Sequence, residues 1–204
     1  MSNQKKPTLA EKLRFALVAA IKRFNDSRDP KNLLSPLRAA AKKDTPDDAA
    51  AEQAIAHRLA FYLEDELRRT KLVHDDGPLA VNCEYNRHYD AKKMLEAKNA
   101  FRKIVIAAKR KAYTVPDKSG FFRFSVAPDI IVHQPRTDAL NLLIVELKKQ
   151  SNKEGSEYDD LKLTLFTAPC PLGFGYRFGA RVVARDDLPP EKRCLEIVKE
   201  YPEA

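Results

Sequence analysis

Residues 124–150 read FSVAPDIIVHQPRTDALNLLIVELKKQ, two apolar runs separated by a polar loop. The first run, Ile130-Ile131-Val132, is β-branched and follows Pro128-Asp129. The second, Leu142-Leu143-Ile144-Val145-Glu146-Leu147-Lys148, has the pattern of a buried strand interrupted near its end by two charges. Strand side chains alternate faces, so Glu146 and Lys148 project to one side while Val145 and Leu147 project to the other. Asp129, on the preceding strand, can bring a second carboxylate to the same place. Two carboxylates and an ammonium converging on one point are the minimal set for metal-assisted hydrolysis of a phosphodiester.

Pro128-Asp129 followed by Glu146-x-Lys148 resembles the PD-(D/E)xK signature of the restriction-endonuclease-like nucleases. The chain holds two further Pro-Asp pairs, Pro46-Asp47 and Pro116-Asp117, and acid-x-Lys triplets starting at Asp29, Asp90, Glu96 and Asp160. Placement separates 129/146/148 from these: only there do both halves fall in or beside aliphatic strands joined by a hairpin-length loop. The resemblance implies an α/β fold with a restriction-endonuclease-like αβββαβ core, a mixed central sheet flanked by helices. It also implies a Mg²⁺- or Mn²⁺-dependent nuclease, with DNA as the expected substrate, of a restriction, defence or mobile-element type. In such a core the first helix commonly brings a glutamate to the metal, and Glu52 matches that slot. Asp129 and Glu146 would then hold the ion with the Leu147 carbonyl, and Lys148 would orient water or stabilise developing charge. A non-catalytic nucleic-acid- or protein-binding module on the same fold is the alternative, and an unrelated α+β protein with a structural Glu146–Lys148 pair is a third reading.

At 204 residues, with 44% apolar and 32% charged residues, one domain with decorations is expected. No apolar run reaches membrane-spanning length, and the start, MSNQKKPTLAEK, lacks the features of a secretory signal. Three widely spaced cysteines, Cys83, Cys170 and Cys194, read as reduced thiols, and the expected location is cytoplasmic. The net charge of +8 is unevenly distributed. Residues 1–45 carry eleven Lys/Arg against four Asp/Glu, and residues 91–112 carry eight against Glu96 alone. The remainder, which holds the candidate site, is therefore net acidic, with two basic segments attached. An acidic, cation-binding centre with basic attachments suits a polyanion partner. A homodimer or a protein partner is also open.

Residues 1–44 read as a basic helical extension, with an amphipathic helix over 8–24 ended at Asp29-Pro30 and a shorter helix over 33–43. Residues 45–204 read as the nuclease-like domain. Its first helix runs from Thr45-Pro46-Asp47-Asp48 to about Arg69, with Ile55, Leu59, Tyr62 and Leu63 inward and Glu52 on the same face. Residues 79–87 alternate as a strand, whose polar end offers Glu84 as a further metal ligand and Arg87 as a phosphate contact. Residues 90–112 show one long helical pattern, packed through Met94, Ala97, Phe101, Val105 and Ala108. This predicts a basic helical insertion at about 90–120 that presents Lys92, Lys103 and Arg110 to nucleic acid. A helix over 157–167 offers Lys162 to a backbone phosphate, a strand runs over 175–184, and a last helix is expected over 191–200.

Overall fold

The computed structural model describes residues 6–34, 47–74, 77–84, 87–88, 91–115, 119–137, 139–152, 155–169 and 173–202, with the backbone alone for 47–51, 87–88 and 91–92. In chain order the helices are α1 (Leu9–Asp26), α2 (Asp29–Leu33), α3 (Asp47–Arg69), α4 (Arg102–Ala107) and α5 (Ser156–Thr167). The strands are β1 (Ala80–Cys83), β2 (Arg87–His88), β3 (Ala91–Lys92), β4 (Met94–Lys98), β5 (Ala112–Thr114), β6 (Phe121–Ser125), β7 (Ile130–His133), β8 (Asn141–Lys149), β9 (Phe178–Ala184) and β10 (Leu195–Pro202).

The two apolar runs form β7 and β8, inside a five-stranded mixed sheet of order β1-β7-β8-β9-β10. All its pairings are antiparallel except β8 with β9, which are parallel and joined through α5. A parallel pair needs such a crossover, and the helix covers the sheet face it crosses. β8 is buried from Asn141 to Leu147, which explains its near-continuous apolar pattern.

Alternation divides the sheet residues between two apolar layers. Ile130, Val132, Leu143, Val145 and Leu147 pack with Leu13, Leu17, Ile21 and Phe24 of α1 and Ile55, Leu59 and Leu63 of α3. Ile131 and Ile144 face the opposite side, against Leu161 and Phe166 of α5 and Phe122 and Phe124 of β6. α1 therefore shares the main core. It starts at a capping box in which Thr8 Oγ1 accepts from the Glu11 N–H at 3.2 Å and the Glu11 carboxylate accepts from the Thr8 N–H at 2.6 Å.

Three sequence expectations are corrected. Residues 90–112 are not one helix: their described part is divided among β3, β4, a 3₁₀ turn at Asn99–Phe101, α4 and β5. Leu95 and Ala97 are buried where β4 pairs antiparallel with β6, opposite Phe124 and Phe122. Pairing to those aromatics outweighs the helical stripe, which shares Ala97 with it. The basic insertion is thus largely a three-stranded sheet of order β4-β6-β5 with a short helix. Residues 191–200, expected as a helix, hold the end of a 3₁₀ turn at Pro190–Lys192 and most of β10, which covers the edge of β9. Asp29-Pro30 follows the end of α1 but also opens α2, because proline suits the first turn of a helix. α2 ends at Leu33, and the remainder of the helix expected over 33–43 falls at Leu34 and then outside the described residues. No helix of the described residues is long and apolar enough to cross a membrane.

Candidate active site

Asp129 immediately precedes β7 and Glu146 lies near the end of β8. The register aligns Ile130 with Val145 and Ile131 with Ile144. Ile131 and Ile144 face α5, so the same alternation puts Asp129 and Glu146 on that face too. Both line a cleft of about 280 Å³ together with Glu52, Leu147, Lys148 and Asn152, closed from the α5 side by Tyr158, Asp159 and Lys162.

Each carboxylate is held differently. Asp129 Oδ2 accepts the Leu147 N–H at 2.6 Å. An extended residue presents its N–H and C=O to the same edge, so the Leu147 carbonyl also points toward the Asp129 side. Extending the register places Pro128 opposite Leu147, and proline has no N–H to give that carbonyl. Glu146 is 1% exposed. Its Oε2 accepts from Lys162 Nζ at 2.5 Å, whereas its Oε1 is buried without a hydrogen-bond partner among the described residues. A bare buried carboxylate oxygen is costly unless something neutralises it.

The electrostatics agree with the geometry. Lys162 also pairs with Asp159 at 3.2 Å and lies 4.9 Å from the centroid of the Tyr158 ring. Burial works to lower its pKa, but Glu146, Asp159 and Asp129 outweigh burial and hold the ammonium firmly protonated. Burial raises the Asp129 pKa to about 6; Lys162 and the Leu147 N–H oppose the rise, and Asp159 and Glu52 add to it. Burial also raises Glu146 well above the usual carboxylate range, with Lys162 opposing and Asp129 and Asp159 reinforcing. One internal ammonium does not balance these acids.

The remaining expected residues divide. Glu52 lines the cleft from α3, and its Oε1 accepts from the Lys149 N–H at 3.1 Å and Asn152 Nδ2 at 3.4 Å, tying the helix to the end of β8. Lys148 lines the cleft beside Gly155, where an added Cβ would come within 3.9 Å of its Nζ. Glu84 is exposed and accepts from Gln53 Nε2 at 2.6 Å, so that carboxylate is engaged away from the cleft lining. Lys162 does not reach outward to a phosphate: it is 6% exposed and serves as the counter-ion of Glu146. Arg110 lines the cleft, while Lys103 is exposed on α4. The side chains of Arg87 and Lys92 lie outside the described residues. Lys92, Lys103 and Arg110 share no helix face, because they fall on β3, on α4 and beyond its end.

The cleft also includes Asp159, Tyr158 and Lys109; in sequence Tyr158 reads only as an inward helix residue and Lys109 only as a flank of the basic face. The available signal for Asp159 was its i,i+3 spacing to Lys162, and for Lys109 its place in the run Lys109-Arg110-Lys111.

Among the described residues, no group of three or more His, Cys, Asp or Glu side chains is arranged to hold a metal ion. Magnesium is commonly bound through one or two carboxylates with water completing the shell. Asp129, the bare oxygen of Glu146 and the Leu147 carbonyl fit that kind of site. No protein-family model, curated protein or solved structure matches the chain.

Proposed function

We propose that the cleft is the active site of a divalent-metal-dependent nuclease on a restriction-endonuclease-like core. The order α3, β1, β7, β8, α5, β9, with one parallel pair across α5, supports that assignment of the core. The observation that carries the function is the buried Oε1 of Glu146, without a hydrogen-bond partner among the described residues, on the same sheet face as Asp129. Asp129, Glu146 and the Leu147 carbonyl would hold Mg²⁺ or Mn²⁺. When bound, such an ion polarises a phosphodiester and lowers the pKa of water. Lys162 fixes the Glu146 side chain through Oε2, and Oε1 would be the oxygen left to hold the ion. Glu52 holds the end of β8, which carries Lys148. The Lys148 ammonium, which lines the cleft, would orient the attacking water or stabilise charge developing on the phosphate.

The test is incubation with single- and double-stranded DNA and RNA in Mg²⁺ or Mn²⁺, with a chelator control. Cleavage is expected to need the divalent ion and to disappear in Glu146→Gln and Lys148→Ala, both folded by circular dichroism. Undiminished cleavage by both variants, or no cleavage of any substrate with either metal, defeats the proposal.

A further inference from the structure

The active-site cleft continues into a second depression of about 250 Å³ that shares Lys109, Arg110 and Ala127 with it and runs on past Lys111 to Tyr113. Lys109, Arg110 and Lys111 are exposed, and none of them has an ion-pair partner among the described residues. Tyr113 is 50% exposed and sits on β5, opposite Arg123 of β6. The neighbouring pairs bring Phe122 and Phe124 into the core, so alternation turns Tyr113 to the outer face.

The backbone at this junction is formed at a local cost. α4 ends in a Schellman turn: the Arg110 N–H donates to the Val105 carbonyl at 3.1 Å, and the Lys109 N–H to the Ile106 carbonyl at 2.9 Å. That geometry puts Lys109 at a φ of +55°, a position that favours glycine. A lysine held there, on the wall common to both depressions, is the kind of strain retained where a side chain serves a site.

We infer that this second arm binds single-stranded nucleic acid leading into the active site, with Lys109, Arg110 and Lys111 along its phosphates and Tyr113 stacked on an unpaired base. A basic groove with an exposed aromatic is how single strands are bound without sequence readout. A duplex has no free base face to offer Tyr113, so the ring selects for unpaired substrate. From Lys109 to Tyr113 the chain can extend at most about 14 Å, so the stacked base lies within a few nucleotides of the reacting phosphate.

The inference rests on the nuclease reading, and the experiment separates the two. Binding of fluorescein-labelled oligo-dT and of a labelled duplex is measured with Ca²⁺ in place of Mg²⁺. Hydrolysis of bis(p-nitrophenyl) phosphate with Mn²⁺ reports on the active site without the platform. Tyr113→Ala is expected to weaken oligo-dT binding about 5- to 150-fold, with Tyr113→Phe near wild type and duplex binding unchanged. Lys109→Gly should raise the thermal midpoint yet weaken oligo-dT binding and flatten its dependence on salt. Equal oligo-dT binding by wild type and Tyr113→Ala, or equal weakening on duplex and single strand, overturns the inference while hydrolysis of the small diester keeps the active site. Loss of that hydrolysis from the wild type itself, with oligo-dT binding intact and sensitive to Tyr113, overturns the nuclease reading alone.

Discussion

Charge compensation by single residues gives the site its properties. Lys162 is the internal cation for Glu146 and Asp159, and removing one partner of a buried pair strands the other. Lys162→Met is expected to cost about 3–5 kcal/mol of stability in denaturant unfolding. Adding Glu146→Gln to it should restore a substantial part, and no recovery in the double variant would show that the lysine acts mainly by packing. Asp129 contributes to the pH dependence alongside Glu146, whose pKa burial raises in the same direction. The folded pKa of Asp129, about 6, stands above the ordinary 3.8, so the folded protein keeps this proton after the unfolded chain has lost it. The group's favourable contribution is complete below about pH 4 and is lost as pH rises through 6. In chelator at pH 7.5, Asp129→Asn is therefore expected to be more stable than wild type, by on the order of 3 kcal/mol. The difference should vanish near pH 4. A variant less stable than wild type at pH 7.5 would contradict this account.

At the scale of elements, the cleft depends on how closely α5 and β10 approach β9. Gly179 of β9 leaves no room for a side chain: an added Cβ would lie 3.1 Å from Thr167 Cγ2, 3.3 Å from Tyr201 Cβ and 3.4 Å from Ile144 Cγ2. One methyl group would push on the end of α5, on β10 and on the central strand together. Gly179→Ala is expected to lower stability by about 1–3 kcal/mol, measured by thermal or denaturant melting. Overpacking, rather than loss of backbone freedom, sets the sign, since alanine would otherwise stabilise a strand. A melt at or above the wild-type midpoint would mean that these elements yield at no cost.

For the whole molecule, α1 determines what counts as one cooperative unit. Its buried Leu13, Leu17, Ile21 and Phe24 belong to the same apolar layer as α3 and the sheet face beneath Glu52. Leu17, fully buried, is expected to cost about 2–5 kcal/mol when replaced by alanine, in one transition seen by every probe. An early, separate transition with the main one unmoved would mark α1 as an independent attachment. The basic N-terminal segment is thus partly a core element whose exposed face carries charge.

Local pattern carries part of this fold. β7 and β8 are legible because their apolar runs are long, β-branched and bounded by turn residues, and a period of two assigns Glu146 and Lys148 to one face. α1, α3 and α5 are legible because their stripes have no competing period. The rest depends on the pairing of segments distant in the chain. Ala97 satisfies both a helical and a strand pattern, and the aromatic ladder of β6, more than twenty residues away, selects the strand. Leu195, Val198 and Tyr201 of β10 also fit a helical stripe, and the open edge of β9 selects the strand. Lys162 looks like a surface lysine in sequence because burial of a charge depends on a partner elsewhere in the chain. Here that partner is a carboxylate sixteen residues earlier, on the strand that α5 covers. Local pattern sets which faces are apolar. The pairing of distant segments sets which charges are enclosed with them, and the site is made of those charges.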